Sequence, residues 1–277
     1  MKQNQKKSVI SLISYDAHYL PDSIRSYYDY VDEIILGLDI DRISWSRNKF
    51  SFDETALWAE LQKIDYAGKI QVIEENFHRS LVPIENDTHE RNFLKQHCSN
   101  DWVFSFDADE ILVNAKEFFL DFLPLVQDYK DVELMFTWFL LYKEFPNDFL
   151  IIADETRQHI FKKDIQGFSA QKNLHTYTYC RWTNAPKKLL SPLGILHYSF
   201  CRNDEELSKK INNFGHSVES KRDPFYDIQK TITMNNFERL VNFKTSNMGP
   251  QWPTLKAVPK TQLMEYCKEE ARLIYGS

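Results

Sequence analysis

The chain of 277 residues carries a formal net charge of −6, with 43% hydrophobic and 27% charged residues, the balance of one ordinary folded domain or a domain with a helical appendage. The acidic balance gives no support to a strongly nucleic-acid-binding surface. Glycines number seven, with no G-x-G-x-x-G or G-x-x-x-x-G-K run, which argues against a glycine-rich phosphate loop and leaves a metal as the expected means of holding a phosphate.

The polar start, Met1 to Lys7, is followed by an apolar run of only about five residues, shorter than the core of a signal peptide. The longest apolar run, Leu134 to Tyr142, is too short to cross a bilayer and reads as a central strand. Cys98, Cys180, Cys201 and Cys267 lie far apart with no C-x-x-C, which suits reduced thiols and a cytoplasmic protein.

In chain order, Val9–Ser14 predicts a strand, the region around Ser23–Tyr30 a helix, and Glu33–Asp39 a second strand. Ser51-Phe-Asp-Glu54 has the capping-box pattern, and Leu57, Leu61 and Ile64 behind it share one helical face. Lys69–Glu74 predicts a third strand, Asp87–Cys98 a helix, and Trp102–Phe106 a buried strand. Such alternation predicts an α/β fold, a mostly parallel sheet flanked by helices with ligands beyond the carboxyl ends of its strands.

After Asn114 come a helix around Lys116–Leu123, a long strand Val132–Leu141, and shorter strands near Phe149–Ala153, His159–Phe161, His175–Cys180 and Ile195–Phe200. The last third reads as helical. Leu207, Ile211 and Phe214 share a face, Pro259–Tyr275 is a terminal helix, and Gly249-Pro-Gln-Trp-Pro253 is a loop between them. The expected division is a domain over residues 1–203 with a helical extension over 204–277 packed on it.

The chemistry concentrates in Asp101-Trp-Val-Phe-Ser-Phe-Asp-Ala-Asp-Glu110. An apolar strand ends in three acids, and period-two alternation sends Asp107 and Asp109 to the same side of the chain. Two such carboxylates are a seat for a hard divalent cation that also holds a diphosphate. Asp39-Ile-Asp41 is a second Asp-x-Asp, without that apolar approach.

With these segments in order, the chain resembles the family 2 type glycosyltransferases with the GT-A fold. Val9–Tyr15 stands where that family begins its nucleotide pocket, and Val31-Asp-Glu-Ile-Ile-Leu-Gly-Leu-Asp39 looks like its second strand. Ser51-Phe-Asp-Glu-Thr55 is similar to its Ser-x-Asp-Gly-Thr helix start, and Glu90-Arg-Asn92 to the approach to its metal motif. The resemblance covers about residues 8–113, the nucleotide-sugar half; residues 114–203 would be the acceptor half. The chain departs from the family in having Asp16-Ala17 for Asn-Glu, Glu54 for glycine, and about ten extra residues, including Trp45, between Asp39 and Ser51.

The resemblance implies a metal-dependent transfer of a sugar from a nucleotide-sugar, a UDP-sugar first, to an acceptor hydroxyl, with surface glycan as the acceptor. It implies Mn²⁺ or Mg²⁺ on Asp109, with Asp107 through water or on the donor ribose, and His197 completing the shell; imidazole suits Mn²⁺ better than Mg²⁺. Asp39 would receive the base or ribose, Tyr15 would stack on the base, and Arg91 would face the diphosphate. Glu110 is a candidate for a supporting or catalytic acid, and Asp154-Glu155 resembles the family's acidic pair in the acceptor half. His175, Trp182 and Trp252 are candidates for the acceptor wall.

Modified DNA is an alternative acceptor, with Lys162-Lys163, Lys172, Arg181 and Lys187-Lys188 as a local basic face. A non-catalytic module that binds sugar nucleotide or glycan is a second alternative. A sugar nucleotidyltransferase would carry a glycine- and lysine-rich amino-terminal loop, which this sequence lacks.

Overall fold

The computed structural model describes residues 5–153, 165–217, 225–244, 251–252 and 254–276. The first half alternates as its periodicity predicts: β1 (Lys7–Ile13), α1 (Leu20–Tyr27), β2 (Glu33–Asp39), α2 (Glu54–Ile64), β3 (Ile70–Glu75), α3 (Pro83–His97) and β4 (Trp102–Ser105). These strands form a parallel sheet in the order β3-β2-β1-β4. β1 is buried on both faces and β2 almost wholly so, which is why they read as unbroken apolar runs, whereas β3 at the edge has several exposed residues.

α2 begins one turn's fraction later than the capping-box pattern suggests. Its N-cap is Asp53, whose side chain accepts from the Ala56 N–H at 2.9 Å, and Ser51 lies outside the helix. A carboxylate both fills an orphan donor and answers the positive end of the helix dipole, so it outcompetes the hydroxyl. α3 packs directly on β2 at Gly37, where an added Cβ would come within 2.5 Å of Glu90 Oε1.

β5 (Glu110–Leu112) follows, then a helical stretch over Ala115–Glu117, Phe118–Phe122 and Leu123–Val126. Pro124 has no N–H to give the preceding turn, and that turn is widened into π geometry. Phe104 lies edge-on to Phe118 and Phe119, with ring centroids 5.7 and 5.4 Å apart, and Phe136 closes the cluster. Truncating a fully buried phenylalanine of this kind to alanine costs about 3–5 kcal/mol.

The second half is a mixed sheet. It contains β6 (Val132–Glu144), β7 (Asp148–Ala153), β8 (Ile165–Gly167), β12 (Lys187–His197) and β15 (Thr254–Pro259) in the order β15-β7-β6-β12-β5, with β8 on β6. β12 runs parallel to β6, and the other pairs are antiparallel. Between them in the chain, β9 (Ser169–Gln171) adds antiparallel to β4, and β10 (Tyr177–Tyr179) pairs with β11 (Trp182–Thr183). β8 and β9 have only three residues each, too few to show a period.

The carboxyl-terminal third holds α4 (Asp204–Asn213), α5 (Phe225–Thr231), the pair β13 (Phe243–Lys244) and β14 (Gln251–Trp252), then β15 and α6 (Leu263–Gly276). β15 falls between the expected loop, which ends at Pro253, and the expected helix start at Pro259. It is an edge strand on β7, with Leu255 and Val258 buried and Pro259 at its end, where a missing N–H is tolerated. The expected strand His159–Phe161 lies outside the described residues. No helix among the described residues is long and apolar enough to cross a membrane.

Candidate functional site

The order β3-β2-β1-β4 has a switch point. The chain moves outward from β1 to β2 and β3, then returns to the other side of β1 as β4. The crevice beyond the carboxyl ends of β1 and β4 is where open parallel sheets take their ligands. Tyr15 and Asp16 follow β1 there, and Asp107 and Asp109 follow β4. β12 reaches the same place from the second sheet, because its pairing with β5 sets His197 opposite Glu110.

Asp109 is the centre of this cluster. Its Oδ1 lies 3.4 Å from His197 Nε2, and its Oδ2 accepts from Lys210 Nζ at 2.8 Å and from the Arg202 guanidinium. Arg202 also donates to Asp16 Oδ2 at 2.9 Å and lies over the Tyr19 ring. Burial alone would raise the Asp109 carboxyl; the Lys210 ammonium, the His197 imidazole and Arg202 outweigh it and hold the group well below the usual carboxylate range.

Asp107 faces other cations. Arg91 donates to its Oδ1 at 2.8 Å, and Arg181 lies 3.4 Å from its Oδ2. Burial pushes the Asp107 carboxyl up, and Arg181 and Arg91 together bring it below its ordinary value. Arg91 is itself only 1% exposed, with its other donors on Asp87 Oδ1 at 2.6 Å and Ser105 Oγ at 2.5 Å. Its guanidinium is thus spent inside the protein, where it orients Asp107 rather than facing a ligand.

Glu110 is fully buried, and both its oxygens accept from Arg181 Nη1, at 2.9 and 2.8 Å. Its Oε2 also accepts the Asp107 N–H at 2.9 Å. The geometry gives Glu110 a holding role on the Asp107 turn, with no face left for proton transfer. Asp154 and Glu155 lie outside the described residues.

Asp39 is at the end of β2, as expected, with both oxygens engaged internally. Oδ1 accepts from the N–H groups of Asp41 and Ile43, and Oδ2 accepts from the Phe77 N–H and lies 2.8 Å from His78 Nδ1. This is the work of a turn-forming carboxylate that ties β2 to the loop after β3. Asp39, Asp41 and His78 also bring ligand atoms within 4.8 Å of one another, a donor set that could hold a metal.

A cleft of about 370 Å³ opens beside Arg202, within the range of small-molecule sites. Its walls are Tyr15 and His18 after β1, Ser51, Phe52 and Asp53 at the start of α2, and Glu206 and Lys209 on α4. Tyr15 and the Ser51–Asp53 helix start, read separately in the sequence, therefore meet at one opening. The extra residues after Asp39 fasten α4 above it: Ser44 Oγ donates to Asn213 Oδ1 at 2.7 Å, and Asn48 Nδ2 to the Asn212 carbonyl at 2.8 Å.

No family model and no curated protein matches the chain. Among solved structures, it is similar to residues 1–349 of TarS from S. aureus at 16% identity and a TM-score of 0.32, covering 50% of this chain and 36% of that one. It is similar to the mannosyltransferase PcManGT from Pyrobaculum calidifontis, in complex with GDP-Man and Mn²⁺, at 14% identity and a TM-score of 0.34, covering 49% and 36%. The TarS fragment is also known with UDP-GlcNAc. The chain spans little more than a third of the length of these structures, and a likeness of this extent carries no argument about activity.

Three charged residues of the cluster, Asp16, Arg202 and Lys210, were not expected from the sequence. Lys210 did carry a signal: it sits beside Ile211 within the apolar stripe Leu207, Ile211, Phe214, where a lysine must be paired or snorkel. The basic face does not assemble as expected, since Arg181 is buried against Glu110 and Lys188 lies over the Trp182 ring at 4.0 Å. Lys162 and Lys163 lie outside the described residues. His175 is buried, with Nδ1 accepting the Gln171 N–H.

Proposed function

We propose that the chain is a GT-A type glycosyltransferase, moving a sugar from a UDP-sugar to an acceptor hydroxyl in the synthesis of a surface glycan. The observation that carries this reading is the meeting of Asp16, Asp107, Asp109, His197 and Arg202 at the β1/β4 switch point, next to the Tyr15 cleft. Carboxylates, an imidazole and guanidinium groups at one end of a parallel sheet are the parts a nucleoside diphosphate and its counter-ion require. Residues 8–113 would bind the donor and residues 114–203 would choose the acceptor.

On this reading Asp109 and His197 are the donors of a divalent ion. Asp109 Oδ1 and His197 Nε2 face each other at 3.4 Å, both side chains are buried, and His197 Nδ1 has no hydrogen-bond partner among the described residues, so Nε2 is the nitrogen that meets the carboxylate. Asp109 and His197 would hold Mn²⁺ or Mg²⁺, with Asp107 beside them. When bound, the ion would neutralise charge on the leaving diphosphate. The Arg91 and Arg181 pairs fix the Asp107 turn, and the buried Glu110–Arg181 pair keeps that turn from yielding as charge moves nearby.

The reading is tested by incubating the protein with a panel of UDP-sugars and Mn²⁺ and measuring release of UDP. Slow hydrolysis of one donor that Asp109→Asn abolishes supports it. Saturable binding of a UDP-sugar with no UDP released, with or without candidate acceptors, would favour a non-catalytic recognition module.

A further inference from the structure

Two cations crowd the atom of Asp109 that lies away from His197. Arg202 and Lys210 both donate to Oδ2, and they come from the loop before α4 and from α4 itself, outside the segments that resemble a donor site. Around Asp109 the fixed charges are already matched: Asp16 and Asp109 against Arg202 and Lys210. A divalent ion arriving alone beside His197 would meet two like charges on the same carboxylate. An incoming diphosphate changes this, because it brings negative charge together with oxygens that both cations can use.

We propose, on the glycosyltransferase reading above, that Lys210 and Arg202 are the diphosphate-binding cations of this protein, held on Asp109 Oδ2 until the donor arrives. On donor binding the two cations pass from the carboxylate to the diphosphate, leaving Asp109 Oδ2 without its ion pairs. Lys210 is suited to this exchange, since its four-carbon stem moves the ammonium several ångströms with no backbone change. Arg202 is among the residues that border the cleft, with its side chain 1% exposed and its guanidinium held by Asp16 and Asp109. Nucleotide and metal therefore bind together better than either binds alone.

The test is titration calorimetry of Mn²⁺ alone, UDP with Mn²⁺, and uridine, against wild type, Lys210→Met and Lys210→Arg. The two ligands should respond to Lys210→Met with opposite signs. UDP affinity should fall about 10- to 100-fold, the range of one charge-assisted hydrogen bond. Affinity for Mn²⁺ alone should rise several-fold, and uridine should be unaffected. Lys210→Arg, which keeps the cation, should stay near wild type in all three, and a cooperative thermal transition above the titration temperature in each variant would confirm an intact fold.

A loss of UDP and uridine binding in parallel, or weaker Mn²⁺ binding in Lys210→Met, would make Lys210 a structural residue and overturn the proposal. So would unchanged UDP affinity. If wild type binds no nucleoside diphosphate at all, the glycosyltransferase reading falls with it, so the two failures are distinct.

Discussion

Lys210 Nζ donates to Asp109 Oδ2 at 2.8 Å across 101 residues of chain, joining a helix of the last third to the turn that closes the first sheet. With Arg202 on the same oxygen, the pair ties α4 and the loop before it to the end of β4. Burying a carboxylate among cations is tolerable only while all partners are present, because each lone buried charge costs several kcal/mol.

Asp109→Asn keeps the shape and removes the charge, leaving Lys210 and Arg202 facing an amide. Urea unfolding at neutral pH should show a loss of about 3–5 kcal/mol. The wild-type carboxyl lies well below its ordinary range, so its stabilisation is complete above the unfolded value of about 3.9 and is lost as pH falls through the folded value. The acid limb of the stability curve should therefore be shallower in the variant.

Glu90 acts in the opposite direction and in a separate window. Burial pushes its carboxyl up from 4.5 to about 8, while the Trp45 Nε1–H donates to its Oε2 at 2.7 Å. Between those values the folded state holds a proton that the unfolded state has lost, so stability falls as pH rises from about 5 to 8. Glu90→Gln keeps an acceptor for Trp45 and removes the titration. By thermal unfolding, the variant should then lose less stability over this range than wild type does, and be more stable than wild type at pH 9 by a few kcal/mol, on the order of the whole shift.

The cap of α2 separates two residues that the sequence alone confuses. Asp53→Ala should cost about 1 kcal/mol, and Ser51→Ala should stay within about 0.5 kcal/mol of wild type, both by denaturant unfolding. Equal losses would mean that Ser51 shares the cap.

The parallel sheet was legible because strands buried on both faces leave continuous apolar runs, and Glu33–Asp39 is a strand with the bounds its residues suggest. β15 was hidden because Thr254–Pro259 is a half-buried edge strand flanked by prolines. Asp109 and His197 could be paired on a resemblance, but the physical cause is the β5–β12 register, which no local pattern encodes. Asp39 kept its predicted place and revealed its partners only in three dimensions, since three of its four donors are backbone N–H groups. Arg202 and Lys210 were out of reach for the same reason: their partner is 93 and 101 residues away.

The most direct test of the switch-point site is calorimetric titration of UDP, with Mn²⁺ present, into wild type and Asp109→Asn. The site described here predicts saturable binding to wild type that the variant loses. No binding of UDP, GDP or ADP at millimolar concentration, or equal binding by a folded Asp109→Asn, would contradict it.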